Sequence, residues 1–425
     1  MLVTDAGAFE TAGAPASHET ELLLRFARAG HGAGYSTAEL EECVLALAHA
    51  VGIEDAQISV TPTVIDVSLG VLQSQRSYTL RVRPATVDLD AIARLDELVR
   101  DVLDQSLDVD GALEALARSE GTSLHRPWPL LLAAYALAGA ALTPVLGGGA
   151  DEAIAAALVG LVVGTIAVAA RRTVSAEPMT APIAAVGASF SATVLAQLGV
   201  DATPDLVTLA ALVTFLPGMT LTVGMRELAT EHLQSGVANT ASALVQLLGL
   251  VFGVEIGRSI AVNWFGAVGQ AAPNPAFSGW QLLAAVAAGL AFTLTLRARY
   301  RDAYVMCTAT VLALVASELG AALFGNRAAA FVAALAIGVV GNVAGARLRR
   351  SPLVFIVPGV LMLVPGSAGY NSILQLVTDQ TIDGITAGFD TFVTAISIAY
   401  GLMVSSVVLP RRFTGVAARG APTKT

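Results

Sequence analysis

One aspartate stands where charge is otherwise absent. Asp390 lies in GITAGFDTFVTAISIAYGLMVSSVV, and no other charged residue occurs between Asp383 and Arg411. A carboxylate deep in a bilayer is costly and usually has a task, such as carrying a proton or pairing with a substrate cation. Thr391, Thr394 and Ser397 share this run, and Asn239, Thr240, Ser242 and Gln246 mark an earlier one. Helical spacing puts Asn239, Ser242 and Gln246 on one face and Asp390, Thr394 and Ser397 on another. Such neutral groups either bind a polar substrate or bond neighbouring helices. Glu255 and Glu318 sit nearer the ends of their apolar runs, within snorkelling reach of water.

A second set of residues acts through the backbone. Pro217-Gly218, Pro358-Gly359 and Pro365-Gly366 interrupt apolar runs. Proline lacks an N–H and glycine tolerates non-helical dihedrals. A span broken there leaves backbone groups that need a cavity or a ligand, as in the discontinuous helices of transporters.

Other chemistries are excluded or unsupported. Lys424, in the tail, is the only lysine, so the chain has neither a Walker A lysine nor a Schiff-base lysine. An intramembrane aspartyl protease needs two aspartates, and Asp390 stands alone. His31, His49 and His125 lack metal-ligand spacing, and Cys43 and Cys307 suggest no disulfide framework. The reading is therefore of no enzyme, no metal and no cofactor. No basic block with interleaved aromatics is present, so nucleic acid is not an expected partner.

The elements holding these residues are membrane helices. Of 425 residues 55% are hydrophobic and only 13% charged, with a mean hydropathy of +0.69, against the roughly 25% charged of a soluble chain. Apolar runs of spanning length fall near 128–146, 151–170, 179–199, 204–221, 236–257, 279–297, 303–324, 328–347, 352–366 and 385–409. With the N-terminus in the cytoplasm, the inside loops and tail carry Arg171, Arg172, Arg226, Arg297, Arg299, Arg301, Arg347, Arg349, Arg350, Arg411, Arg412, Arg419 and Lys424, and the outside segments only Arg258 and Arg327. That bias places both termini inside. No basic region precedes an apolar core at the N-terminus, so no cleavable signal is expected.

An internal repeat runs through the spans. Phe215-Leu216-Pro217-Gly218 resembles Leu363-Val364-Pro365-Gly366, and the same offset of 148 (365 − 217) pairs Gly236 with Gly384, Gly253 with Gly401, Leu228 with Leu376 and Ser242 with Asp390. Each copy holds five spans, an odd number, so the second enters from the opposite side. Inverted repeats are the plan of many alternating-access transporters. The expected fold is an α-helical polytopic membrane protein, with two inverted five-helix repeats at 127–262 and 275–410. A disordered stretch at 1–18 and a cytoplasmic α+β domain at 19–126 come first, and a cytoplasmic tail, 411–425, follows.

In the soluble part, Leu22, Leu23 and Phe26 follow helical spacing, and Ser36 with Glu39 forms a capping-box pattern ahead of Leu40, Val44 and Leu47. AQISVTPTVIDVSLG alternates like strands broken at Thr61-Pro62-Thr63, and Leu89, Ile92, Leu95, Leu98 and Val102 restore the helical period.

These features together resemble the threonine/serine exporter family of bacteria over almost the whole chain. The resemblance rests on LLLRFARAGHGAGYSTAELEECVLALAHAVGIEDAQISVTPTVIDVSLG, on PGMTLTVGMREL, on Gln234-Ser235-Gly236 and on VPGVLMLVPGSAGY. It implies proton-motive-force-driven efflux of threonine and serine across the bacterial cytoplasmic membrane, with amino acid, protons and lipid as partners and a homo-oligomer left open. The family's acid about ten positions after the first Pro-Gly falls on Glu227. Its basic residue after the glycine matching Gly236 is replaced here by Asn239 nearby. A dicarboxylate exporter is the alternative within transport, and a membrane-embedded enzyme or a receptor the alternative outside it.

Overall fold

A computed structural model describes residues 17–71, 73–83, 87–120, 126–171, 178–266, 280–363, 365–377 and 381–409. The disordered start and the tail expected from sequence lie outside these residues, apart from Ser17 and His18. The N-terminal part has the order α1 (His18–Ala33), α2 (Thr37–Ala50), β1 (Ala56–Val60), β2 (Val64–Leu69), β3 (Arg76–Arg81), α3 (Leu89–Leu103) and α4 (Val109–Glu120). The strands form an antiparallel meander with β2 in the centre. Ile65, Val67 and Leu69 of β2 are buried while Asp66 faces out, so the strand's period of two sets the packed face. Leu22, Leu23 and Phe26 of α1, Leu40 and Leu47 of α2 and Ile92 and Val99 of α3 complete that core. The expected capping box is present, Glu39 accepting from the Ser36 N–H at 3.4 Å.

The remainder is helical: α5 (Trp128–Leu142), α6 (Ala150–Ala170), α7 (Thr180–Gln197), α8 (Pro204–Ala211), α9 (Gly218–Ala229), α10 (Leu233–Phe265), α11 (Gln281–Thr295), α12 (Ala303–Phe324), α13 (Asn326–Leu348), α14 (Leu353–Met362), α15 (Pro365–Val377) and α16 (Thr381–Val408). Among the described residues seven helical stretches are long and apolar enough to cross a membrane, or eight if the bent pair α8–α9 is one span, while α5 and α11 are shorter apolar helices. The expected break in the fourth span occurs: a 3-10 turn at Val213–Phe215 and extended Leu216 separate α8 from α9, and the axis bends by 51°.

The ninth span departs from expectation. α14 ends at Met362 and α15 opens at Pro365, within the stretch Leu353–Val377 that counts as one of the seven, and α14 runs unbroken through Pro358 and Gly359. Membrane helices tolerate proline when neighbours re-satisfy the freed carbonyl. Gly359 serves packing instead, since a methyl there would lie 2.8 Å from the Ile337 side chain on α13.

The helix contacts fall into two matching sets. α5–α6, α6–α7, α7–α10, α6–α8, α7–α8 and α9–α10 have counterparts in α11–α12, α12–α13, α13–α16, α12–α14, α13–α14 and α15–α16. Between the sets, α5 meets α11 and α9 meets α15, while α10–α15 mirrors α16–α9. Close contacts match by residue as well. A methyl on Gly236 would lie 2.8 Å from the Leu228 backbone nitrogen, and one on Gly384 2.9 Å from that of Leu376. Gly224 faces Thr240 as Ser372 faces Gly388, with the glycine on the opposite helix of the pair. The two hydroxyls donate to matching carbonyls, Thr240 Oγ1 to Gly236 at 2.8 Å and Ser372 Oγ to Gly384 at 2.7 Å. Gly253 and Gly257 bring α10 against the carbonyls of Pro182 and Val186, the close packing their spacing suggests.

Candidate functional site: the meeting of two helix starts and the seat of the N-terminal part

The two breaks touch. A methyl added to Gly366 would lie 2.8 Å from Leu216 Cβ, 3.1 Å from Gly218 N and 3.3 Å from Gly218 Cα. The first turns of α9 and α15 therefore meet, with Gly218 opening one helix and Gly366 second in the other. No side chain caps α9 at Pro217. The first-turn N–H groups of a helix have no intrahelical partner and carry partial positive charge. Gln246 on α10 donates from Nε2 to the freed carbonyl of Phe215 at 2.9 Å, which is the bond the interrupted helix cannot make. Thr214 Oγ1, in the broken stretch, is buried without a hydrogen-bond partner among the described residues. Tyr370, one turn past Gly366, is buried.

A second polar centre lies at the far end of α9. Glu227 is only 2% exposed. Its Oε2 accepts from Asn239 Nδ2 at 2.6 Å, and its Oε1 accepts from the Thr37 N–H at 3.3 Å. Thr37 opens α2, so the carboxylate sits at a helix N-terminus of the N-terminal α+β part, where the dipole favours it. Three further contacts surround it. Arg226 pairs with Glu39 at 3.3 Å, His232 Nε2 approaches Glu41 Oε2 at 3.1 Å, and Ser235 Oγ donates to the Val60 carbonyl at 3.0 Å.

The N-terminal α+β part also grips the second helix set. Arg299 donates to Glu97 at 2.6 and 3.1 Å and to Asp90 at 2.7 Å. Arg297 reaches Asp88 at 3.1 Å, Arg301 reaches Glu97 at 3.1 Å, and Arg349 reaches Asp104 at 2.8 Å. Partial burial alone would push the Glu97 carboxyl up, but the hydrogen bond and charge of Arg299, with Arg301 and Arg100, hold it below its ordinary range. Desolvation likewise opposes the Arg299 charge, and its bonds to Glu97 and Asp90 outweigh that.

The structure joins Glu227, the acid the resemblance implies, to Asn239, and Gln246 to the break at Phe215. It does not bring the remainder of the expected site residues together. Thr394 Oγ1 donates to the Asp390 carbonyl and Ser397 Oγ to that of Val393, each one turn back in its own helix. Ser242 and Asp390, the pair matched by the repeat, are both exposed on the helix surface rather than buried among protein. The Asp390 carboxylate has no hydrogen-bond partner among the described residues. Sequence reasoning missed the docking set of Thr37, Glu39, Glu41, His232, Asp90 and Glu97. The available signal was an acidic domain followed by arginine-rich loops, which hydropathy assigns to topology alone. No group of three His, Cys, Asp or Glu able to hold a metal occurs among the described residues.

The fold defines a helical protein with several helices long and apolar enough to cross a membrane, in two sets that make matching contacts. A family model described as "Putative threonine/serine exporter" matches residues 21–261, and a second, "Threonine/Serine exporter, ThrE", matches 280–408. The chain belongs to the threonine/serine exporter family. Among relatives, it is 26% identical over 402 residues to a "Probable threonine/serine exporter" of Mycobacterium tuberculosis, covering 90% of this chain and 75% of that protein. It is 23% identical over 392 residues to the "Threonine/serine exporter" of Corynebacterium glutamicum, covering 89% and 80%. No solved structure matches the chain.

Proposed function

We propose that this protein is a secondary active exporter of small polar amino acids, threonine and serine, in the bacterial cytoplasmic membrane. It works by alternating access in antiport with protons. The observation that carries the reading is the contact between the Gly218 and Gly366 breaks. Two helix N-termini held together bring like partial charges into contact, and a substrate carboxylate between them offsets that repulsion. The orphaned Thr214 hydroxyl beside the break gives a polar substrate a partner.

The matching contacts support two inverted repeats of five spans each, with α8–α9 and α14–α15 as the broken ones. The soluble domain touches the α9–α10 turn, the α11–α12 loop and the end of α13. In a ten-span chain these follow spans four, six and eight, so all lie on one side, and the arginine bias makes that side cytoplasmic. Asp390, at the Ser242 position of the second repeat, is the proposed proton carrier.

The deciding experiment uses proteoliposomes loaded with labelled threonine or serine. An imposed proton gradient should accelerate their release several-fold, with dicarboxylates retained. Release of a dicarboxylate in preference to threonine, or no response to the gradient, rejects the substrate or the coupling respectively.

A further inference from the structure

The soluble domain is seated on both halves of the membrane bundle at once. Glu39, Glu41, Thr37 and Val60 contact the stretch from Arg226 to Ser235, which runs from the end of α9 into the start of α10. Asp88, Asp90, Glu97 and Leu89 contact the stretch from Leu296 to Arg301, between α11 and α12. Two half-bundles that rock against each other cannot both keep a rigid body on their faces.

The two seats differ in chemistry. At α11–α12, Arg299 is only 18% exposed, makes a two-pronged bond to Glu97 and a third bond to buried Asp90, and the Leu89 N–H adds a backbone bond to Leu296 at 3.1 Å. Forked arginine–carboxylate pairs of this kind are the strong, orientation-fixing ones. At α9–α10 the ionic contacts are single, 3.3 Å for Arg226–Glu39 and 3.1 Å for His232–Glu41, with no forked pair among them. This weaker seat is on α9 itself, a 12-residue helix whose other end is Gly218 at the paired breaks. Any displacement of α9 at the breaks is carried along one short rigid helix to Arg226 and Glu227.

We infer that the soluble domain is a strap across the bundle, anchored on α11–α12 and latched on α9–α10, and that α2 leaves Arg226 and Glu227 each time the protein opens towards the domain's side. In the latched state the Glu227 carboxylate holds the Thr37 N–H and Asn239. On release it keeps Asn239 and meets water. The inference rests on the alternating-access reading, so its test includes a readout that needs no substrate.

In a full-length protein with Cys43 and Cys307 replaced, Glu41→Cys with His232→Cys is bridged by a short, reducible bifunctional thiol reagent. Bridging should cut threonine efflux at least about tenfold, and reductant should restore it. The same bridge at Asp104→Cys with Arg349→Cys, on the anchored side and at exposed positions, should leave efflux within about twofold. Unchanged efflux at the first bridge, or equal loss at both, overturns the strap. Independently of transport, spin labels on exposed Ser59 and Gln234 should give two distances in liposomes, whereas labels on exposed Asp101 and Arg347 give one. A single distance for Ser59–Gln234 rejects the strap even in protein that exports nothing. Two distances with no threonine efflux leave the strap standing and reject the substrate.

Discussion

Gly366 of α15 packs directly on Gly218 of α9, so close that a side-chain carbon at Gly366 would meet the Gly218 backbone nitrogen at 3.1 Å and Leu216 Cβ at 2.8 Å. The opposing atoms are backbone and a Cβ, neither of which can swing aside. Gly366→Val should therefore separate the breaks, lowering efflux at least about tenfold while the protein still reaches the membrane at normal levels. Gly366→Ala should fall between the two. Normal efflux from properly inserted Gly366→Val protein would make the breaks ordinary helix ends.

Half-buried Asn239 and buried Glu227 form a charge-assisted pair at 2.6 Å. Asn239→Ala leaves one carboxylate oxygen without its donor, and an unsatisfied buried charged group costs at least about 1–3 kcal/mol. The purified variant should melt several degrees lower. Asn239→Asp should be worse still, because it sets a second carboxylate against the first. A melting temperature within one degree or so of wild type for both would mean that water already satisfies Glu227.

The Glu97–Arg299 pair makes docking depend on pH in a defined direction. The Glu97 carboxyl is held below its ordinary range, and a depressed acid contributes stability that is fully present above its unfolded pKa of ~4.3. That contribution is lost as pH falls below ~4.3 and through the lower folded value. Protease sensitivity of the connection between the soluble domain and α5 should rise over that window. Arg299→Ala should show the sensitivity already at neutral pH and respond less to acid. An identical acid profile in the two proteins would remove this pair from docking.

Asp390 is tested by removing its charge alone. Asp390→Asn should insert normally and retain downhill exchange of threonine, while efflux loses its response to the pH gradient. Because Asp390 lies on an exposed helix surface, the substitution should change melting little, which separates a coupling role from a packing role. Unchanged pH dependence would leave Glu227 as the remaining candidate carboxylate among the sequence-derived set.

Local physics made much of this protein readable in its sequence. Spanning helices follow from unbroken apolar length, the Ser36–Glu39 cap from its spacing, and β2 from its alternation. The break at Pro217 follows from a missing N–H. Gly236 with Leu228 and Gly384 with Leu376 make matching contacts at the sequence offset of 148, and a close approach constrains residue size strongly. Pro358 shows the limit of that reasoning: proline removes one hydrogen bond, but whether the helix breaks depends on the neighbours, and α14 continues through it packed against Ile337. Tertiary structure alone decided which polar groups meet. Asn239 and Gln246 share a helix face with Ser242, yet one reaches Glu227, one reaches the Phe215 carbonyl and the third faces outward. Helical periodicity fixes an angle around an axis, not what stands opposite. The seat of the soluble domain was hidden for the same reason: Glu227 and Thr37 are 190 residues apart, and no local pattern records that a carboxylate on one helix will close the end of another.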